Sequence, residues 1–190
     1  GNSLGDALSY TYKTASEKGF THDEGYYPNV FMTNHDLVRF GNLLNWKYSI
    51  TPSSDPKKYY GLHKAAIGAV AAYSGPITVY YGDEWGAYVE GYTGQGALGA
   101  YNDNAARSTG KISGFTSKEQ ETVTWTSKVM NARSKYPALS RGNNICLESS
   151  FDYYVGKKEL SGEKSVGFII NKGESEVSYS FTGKDLVSGT

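Results

Sequence analysis

Apolar residues recur along this chain with two different periods, and the change from one to the other divides it. Leu4, Leu8, Tyr12 and Ala15 lie at helical spacing with Gly19 beyond them as a stop, which predicts a helix over residues 3–18. A polar stretch, Thr21–Tyr27, leads through Pro28 to a short apolar strand, Val30-Phe31-Met32-Thr33, ending in Asn34-His35-Asp36. Asp55 as N-cap and Pro56 as first helical residue predict a helix through about Ser74. After Gly75-Pro76, a second apolar strand, Ile77–Tyr81, ends in Gly82-Asp83-Glu84. Residues 82–114 are Gly-rich and irregular. Thr116-Ser117-Lys118-Glu119 is a capping box opening a helix whose face is Trp125, Val129, Ala132 and Tyr136, stopped by Pro137. From about residue 146 the period shortens, and Phe151–Val155, Val166–Ile170 and Val177–Phe181 read as strands between Gly- and Lys-rich turns.

The order is therefore α, β, α, β, α and then a run of β. Strands alternating with helices argue for parallel βαβ units, and the later strands for a separate small β domain. The predicted division is an α/β part over residues 1–140 and an all-β part over 141–190, the boundary falling near 137–146. Two uncharged strands that each end in carboxylates are the informative pattern. In parallel α/β architectures, and above all in (β/α)8 barrels, active-site groups project from the C-terminal ends of strands. A barrel needs roughly 250 residues, so if this is a barrel, most of it is missing.

Composition narrows the function classes. The chain has 190 residues with 19 basic and 19 acidic side chains, and charge balance argues against nucleic acid, which demands a basic field. The excess is in Tyr, 17 of them, a rigid amphipathic residue suited either to lining a site for a hydroxylated ligand or to half-buried strands. A lone cysteine, Cys146, excludes an internal disulfide framework. The N-terminal residues lack the basic and apolar regions of a signal peptide. The uncharged run Ala65–Gly82 is broken by Gly75-Pro76 into halves too short to span a membrane.

Asn34-His35-Asp36 sets an imidazole and a carboxylate side by side at a strand end, with Arg39 a turn later. An ionised carboxylate beside a hydrogen-bonding histidine suits recognition of sugar hydroxyls and stabilisation of developing positive charge. A strand-terminal Asp that merely caps the next helix is the competing reading. Several other patterns carry less. Gly94–Gly99 fits a dinucleotide-binding glycine motif, but it neither follows a strand directly nor opens a helix. His22-Asp23-Glu24 reads as a solvated loop rather than a metal site, and Asn102-Asp103-Asn104 lacks calcium-loop spacing. His63 lies inside a helix. Trp46 and Trp85 lie where they could stack on sugar rings, whereas Trp125 reads as core.

Phe31-Met32-Thr33-Asn34-His35-Asp36, with Arg39, resembles the strand-seven motif of the α-amylase family of glycoside hydrolases. Tyr80-Tyr81-Gly82-Asp83-Glu84-Trp85-Gly86, preceded by Gly75-Pro76-Ile77, is similar to that family's strand-eight segment. Asp103-Asn104-Ala105-Ala106-Arg107-Ser108 is similar to its following loop, and the 116–136 helix to the eighth barrel helix leading into a C-terminal β domain. These pieces cover nearly the whole chain in the family's order.

The resemblance implies a fold, the C-terminal portion of a (β/α)8 barrel with part of a small antiparallel β-sandwich domain. It implies an activity, retaining hydrolysis of α-glucosidic bonds in starch or maltooligosaccharides, in a larger parent enzyme. It implies roles: Asp36 as the carboxylate that stabilises the oxocarbenium-like transition state and His35 as its sugar-binding neighbour. Asn34, Arg39, Asp103, Arg107, Tyr81 and Trp85 follow as substrate-binding residues. Asp83 and Glu84 are either site-shaping groups or a structural network at the barrel rim. The family's nucleophile sits in a Gly-x-Arg-x-Asp setting that does not occur here. A retaining glycosidase needs two carboxylates about 5 Å apart, so this chain alone is expected to be inactive. The resemblance implies no cofactor or metal for this segment, leaves Ca2+ to the parent, and favours a secreted or periplasmic parent. An incomplete barrel would expose sheet edges and self-associate, or complete itself by pairing with another chain. A non-catalytic sugar-binding or scaffold relative of the same fold is the alternative.

Overall fold

The computed structural model describes residues 27–90 and 106–182. The predicted helix over 3–18, Gly94–Gly99, His22-Asp23-Glu24 and Asp103 lie outside the described residues. Among the described residues nine elements follow one another: β1 (Val30–Phe31), α1 (Phe40–Tyr48), α2 (Pro56–Ala71), β2 (Ile77–Thr78), α3 (Ser117–Lys135), α4 (Pro137–Arg141), β3 (Asn143–Ser149), β4 (Tyr153–Glu159) and β5 (Val166–Asn171). The described residues divide into two compact units. One comprises Phe31–Val70 and Thr78–Val129. The other holds the residues up to Val30, Ala71–Ile77 and those from Met130 on.

The first unit is built on aromatic and polar docking. Leu44, Ile50, Tyr59 and Tyr60 form its core, with Phe40, Leu62 and Tyr88 packed against them. Helix α2 begins as the sequence predicts: the Asp55 carboxylate accepts the Lys58 N–H at 3.0 Å. Helix α1 does not show in the apolar pattern, because beside Leu44 its buried residues are Gly41 and Asn42. Buried Asn42 donates to the Val89 carbonyl at 2.9 Å and accepts the Val89 N–H at 3.2 Å, while Asn45 donates to the Tyr88 hydroxyl at 3.0 Å. Gly41 lets the helix approach, since a Cβ there would overlap the Tyr59 hydroxyl. That hydroxyl itself donates to the Gly86 and Ala87 carbonyls.

Helix α3 opens with the expected capping box. The Glu119 N–H donates to Thr116 Oγ1 at 3.3 Å, and the Glu119 carboxylate accepts the Thr116 N–H at 2.7 Å. Its buried residues differ from the expected apolar face, being Glu119, Thr122 and Thr126. Each has a partner that makes burial tolerable: Lys111 for Glu119, the Lys118 carbonyl for Thr122 and the Glu84 carbonyl for Thr126. Trp125 is half-buried with its ring against Gly68. Pro137 ends the helix and starts α4 as its first residue.

The second unit contains an antiparallel sheet in the order β3-β4-β5. Its register slips between Cys146 and Glu148, leaving Leu147 as a bulge. Tyr154, Val155 and Ile170 are buried with Ala138 and Leu139. Two strand expectations fail here. Phe151 and Asp152 belong to the hairpin turn, where Ser150 Oγ accepts the Asp152 and Tyr153 N–H groups. Val177–Phe181 forms no strand: the Asn171 side-chain amide donates to the Ser175 carbonyl at 2.8 Å, and the Phe181 ring lies across Gly167.

Strands β1 and β2 pair with each other, and both are shorter than their apolar runs. The Asn34 side chain accepts the N–H groups of Asp36 and Leu37, each at 2.9 Å, and turns the chain. After β2 the Gly82 carbonyl, at a residue with φ of +97°, accepts the N–H groups of Gly86 and Ala87. Among the described residues there is no closed barrel; the strands form the pair β1-β2 and the three-stranded sheet β3-β4-β5. The fold is thus helices with a short strand pair and one antiparallel sheet. No helix among the described residues is long and apolar enough to cross a membrane.

Candidate active site

The turn after β1 presents His35 and Asp36 outward, because Asn34 holds the backbone beneath them. Their side chains are 64% and 66% exposed, with His35 Nε2 3.3 Å from Asp36 Oδ2. Arg107, half-exposed, brings Nη2 to 3.9 Å from Asp36 Oδ1. Three of the residues expected at the site therefore converge, with Asn34 supporting them. An accessible carboxylate between an imidazole and a guanidinium can accept hydrogen bonds from hydroxyls and stabilise a cation forming above it.

Arg39, expected to touch substrate, is 1% exposed. Its guanidinium donates to the Tyr81 carbonyl and, at 3.3 Å, to Ser108 Oγ. It also lies 4.8 and 4.4 Å from the ring centres of Tyr80 and Tyr81. Tyr81 remains exposed, and its hydroxyl donates to the Ser108 carbonyl at 2.8 Å. Arg39 and Tyr81 together clamp the residue next to Arg107. Trp85 sits apart from this group, half-buried against Phe115 with the Lys111 ammonium 4.6 Å above its ring.

Beneath the site lies Asp83, 1% exposed. One oxygen accepts the hydroxyl of fully buried Thr33 at 2.6 Å, and the other has no hydrogen-bond partner among the described residues. Burial pushes the carboxyl up to about 6, with Glu84 adding repulsion, against the Thr33 hydrogen bond and the Arg39 charge, which hold it down. Glu84 turns back to accept the Gly82 N–H at 2.6 Å. These two carboxylates are a network under the turn and do not reach the exposed surface as Asp36 does. Thr33 was not singled out by sequence reasoning. The cue available was its inward place in an apolar strand, where a hydroxyl needs a partner. Among the described residues no group of three or more His, Cys, Asp or Glu side chains could hold a metal ion.

No family model matches the chain, and no curated protein matches it. Solved structures do. A crystal structure of AmyP in complex with maltose matches at 30% identity and a TM-score of 0.70, over 84% of this chain and 33% of its own. A variant of AmyP in complex with maltotriose matches at 30% identity and 0.72, over the same shares. The α-amylase from Geobacillus thermoleovorans complexed with acarbose matches at 22% identity and 0.56, over 84% of this chain and 29% of its own. The chain is thus similar to α-amylase family glycoside hydrolases. It spans about a third of the length of the relatives it matches.

Proposed function

We propose that this chain is the C-terminal part of a retaining, α-glucan-active glycoside hydrolase. Residues 1–140 would be barrel and 141–190 the start of a β domain. The observation that carries this reading is the convergence of His35, Asp36 and Arg107 on an open strand-end turn. The 30% identity to a protein solved with maltose and maltotriose supports it. Asp36 stabilises the positive charge that develops at the sugar ring as the glycosidic bond breaks. His35 hydrogen-bonds the ring hydroxyls beside it, and Arg107 holds the Asp36 carboxylate in place. Asn34 supports the turn from below, Tyr81 lines its edge, and Asp103 remains a candidate contact. Arg39, buried as it is, supports the site rather than touching sugar.

Nucleophile and acid/base come from preceding parts of the parent, since Asp36 cannot both stabilise the cation and attack or protonate. Phe31, Val79 and Tyr81 are each 39% exposed near β1 and β2, apolar surface suited to the remaining barrel strands. The chain alone is expected to self-associate and to cleave nothing. In the full-length enzyme, Asp36→Asn should lower kcat on maltooligosaccharides by about 10²- to 10³-fold, on the scale of losing one transition-state stabiliser. Wild-type turnover in that variant, measured by product release from maltooligosaccharides, would overturn the assignment.

A further inference from the structure

We propose that Asp83 is a positioning residue for this site, fixing through Thr33 the turn that carries His35 and Asp36 and through Arg39 the segment that carries Arg107. The inference rests on reading Asp36 as the working carboxylate, and it deepens that reading. Two arms lead from Asp83 and both end at Asp36. The first is short: Asp83 takes the Thr33 hydroxyl, and Thr33 is followed directly by Asn34, whose side chain shapes the backbone of Asp36 and Leu37. The second runs through charge. Arg39 favours the ionised form of Asp83 by its charge, and Arg39 itself donates to the Tyr81 carbonyl and to Ser108, next to Arg107.

The groups around Asp83 are few and of known sign. Thr33 and a backbone hydrogen bond at Tyr80 favour its ionised form, Arg39 does so by charge, and Glu84 opposes it. A 2.6 Å hydrogen bond to a carboxylate oxygen is short and charge-assisted, so it orients Thr33 firmly. The second oxygen, buried and without a hydrogen-bond partner among the described residues, makes the carboxylate costly to keep there. Such a cost is commonly tolerated where geometry at a functional site depends on it. Protonation weakens both arms together: the hydroxyl loses an anionic acceptor, and Arg39 loses its counter-charge. Because burial raises the carboxyl to about 6, this loosening occurs in mildly acidic solution rather than near pH 4.

The test follows the backbone amides of Asp36 and Ser108 by NMR across pH 4–8, in the full-length enzyme carrying His35→Gln so that the imidazole contributes nothing. Both amides should shift with a common midpoint near 6. Asp83→Asn should abolish that midpoint. Thr33→Val should move it upward, since the hydroxyl that holds the carboxyl down is gone, a signature that a merely space-filling role would not produce. A midpoint that survives Asp83→Asn, or one that Thr33→Val leaves in place, overturns the proposal. If Asp83→Asn does not fold, Thr33→Val decides alone. In the full-length enzyme, the ratio of Asp83→Asn to parent kcat should change about tenfold between pH 5 and 7 with KM little altered, the scale of one hydrogen bond to a charged group. A parent that cleaves no maltooligosaccharide defeats the enzyme reading while leaving the amide titration to decide the positioning role. A constant kcat ratio in an active parent overturns the positioning role alone.

Discussion

Each compact unit buries a titratable group without a full counter-charge inside a hydrogen-bond network of its own, and the two are handled differently. In the unit with the strand-end turn it is Asp83, one of whose oxygens has no hydrogen-bond partner among the described residues. In the other it is Lys158 on β4, 1% exposed, whose ammonium donates to Ser74 Oγ at 2.8 Å. Ser74 in turn donates to the Gly142 carbonyl. Arg133 closes the same knot, donating to the carbonyls of Ala71, Tyr73, Gly75 and Leu139. Burial, with help from the Arg133 charge, lowers Lys158 to about 7. The Lys158 knot consists of buried side chains tying helix ends and strands to one another, so its chemistry is spent on folding. The Asp83 network ends at exposed carboxylate, imidazole and guanidinium groups. A buried titratable group marks a functional site only when its hydrogen bonds lead outward.

The comparison breaks first at Arg133. Arg133→Met removes donors to four carbonyls, at the end of α2, just beyond it and in α4. Hydrogen bonds to a charged group are worth roughly 1.5–3 kcal/mol each net of solvent, less where one guanidinium is shared among several acceptors. We expect a loss of about 4 kcal/mol in chemical denaturation. A loss below about 1 kcal/mol would mean that solvent replaces those bonds freely.

Lys158→Met should act in the opposite direction. The lysine is lowered in the folded chain from 10.5 to about 7. Its burial therefore has its full cost below about pH 7 and is relieved as pH rises toward 10.5. Replacing it should raise stability near pH 7, by up to about 4 kcal/mol, and flatten the rise in stability between pH 7 and 10. Asp83→Asn gives the mirror image. Asp83 is raised from 3.8 to about 6. The cost of its charge is present above about pH 6 and fades as pH falls toward 4. The variant should gain up to about 3 kcal/mol at pH 7 and lose the dependence between pH 4 and 6. Stability gained with site order lost is the trade expected of a functional group. Parallel pH slopes for the two variants would remove the distinction between the units.

What the sequence could show follows from the range of the interactions. The caps at Asp55 and at Thr116/Glu119 span three residues and were readable. So was the exposed pair His35-Asp36, because its chemistry lies in adjacent residues. The Thr33–Asp83 bond joins positions fifty residues apart, and no local pattern announces it. Strand lengths were overestimated because apolar composition continues through Met32 and Val79–Tyr81, beyond the ends of β1 at Phe31 and β2 at Thr78. Val177–Phe181 alternates like a strand, yet its Phe181 ring covers Gly167. The barrel itself is not visible among the described residues; what links the chain to barrel enzymes is its likeness to them.

The smallest effect concerns α1, which the apolar pattern missed altogether. Its docking depends on Asn42, which both donates to and accepts from the backbone of Val89. An alanine there deprives the part-buried Val89 N–H and carbonyl of this partner, at a cost of about 1–3 kcal/mol. Asn42→Asp keeps the acceptor for the Val89 N–H but sets a carboxylate oxygen against the Val89 carbonyl, and should be no better than alanine at pH 7. Protonation supplies a donor again, so Asn42→Asp should recover part of its stability as pH is lowered toward 4, whereas Asn42→Ala should not. Urea midpoints for the two variants across that range would show it. Equal pH responses would mean that α1 is held by Leu44 and Phe40 alone, and that the polar grip on Val89 contributes nothing to the scaffold under the site.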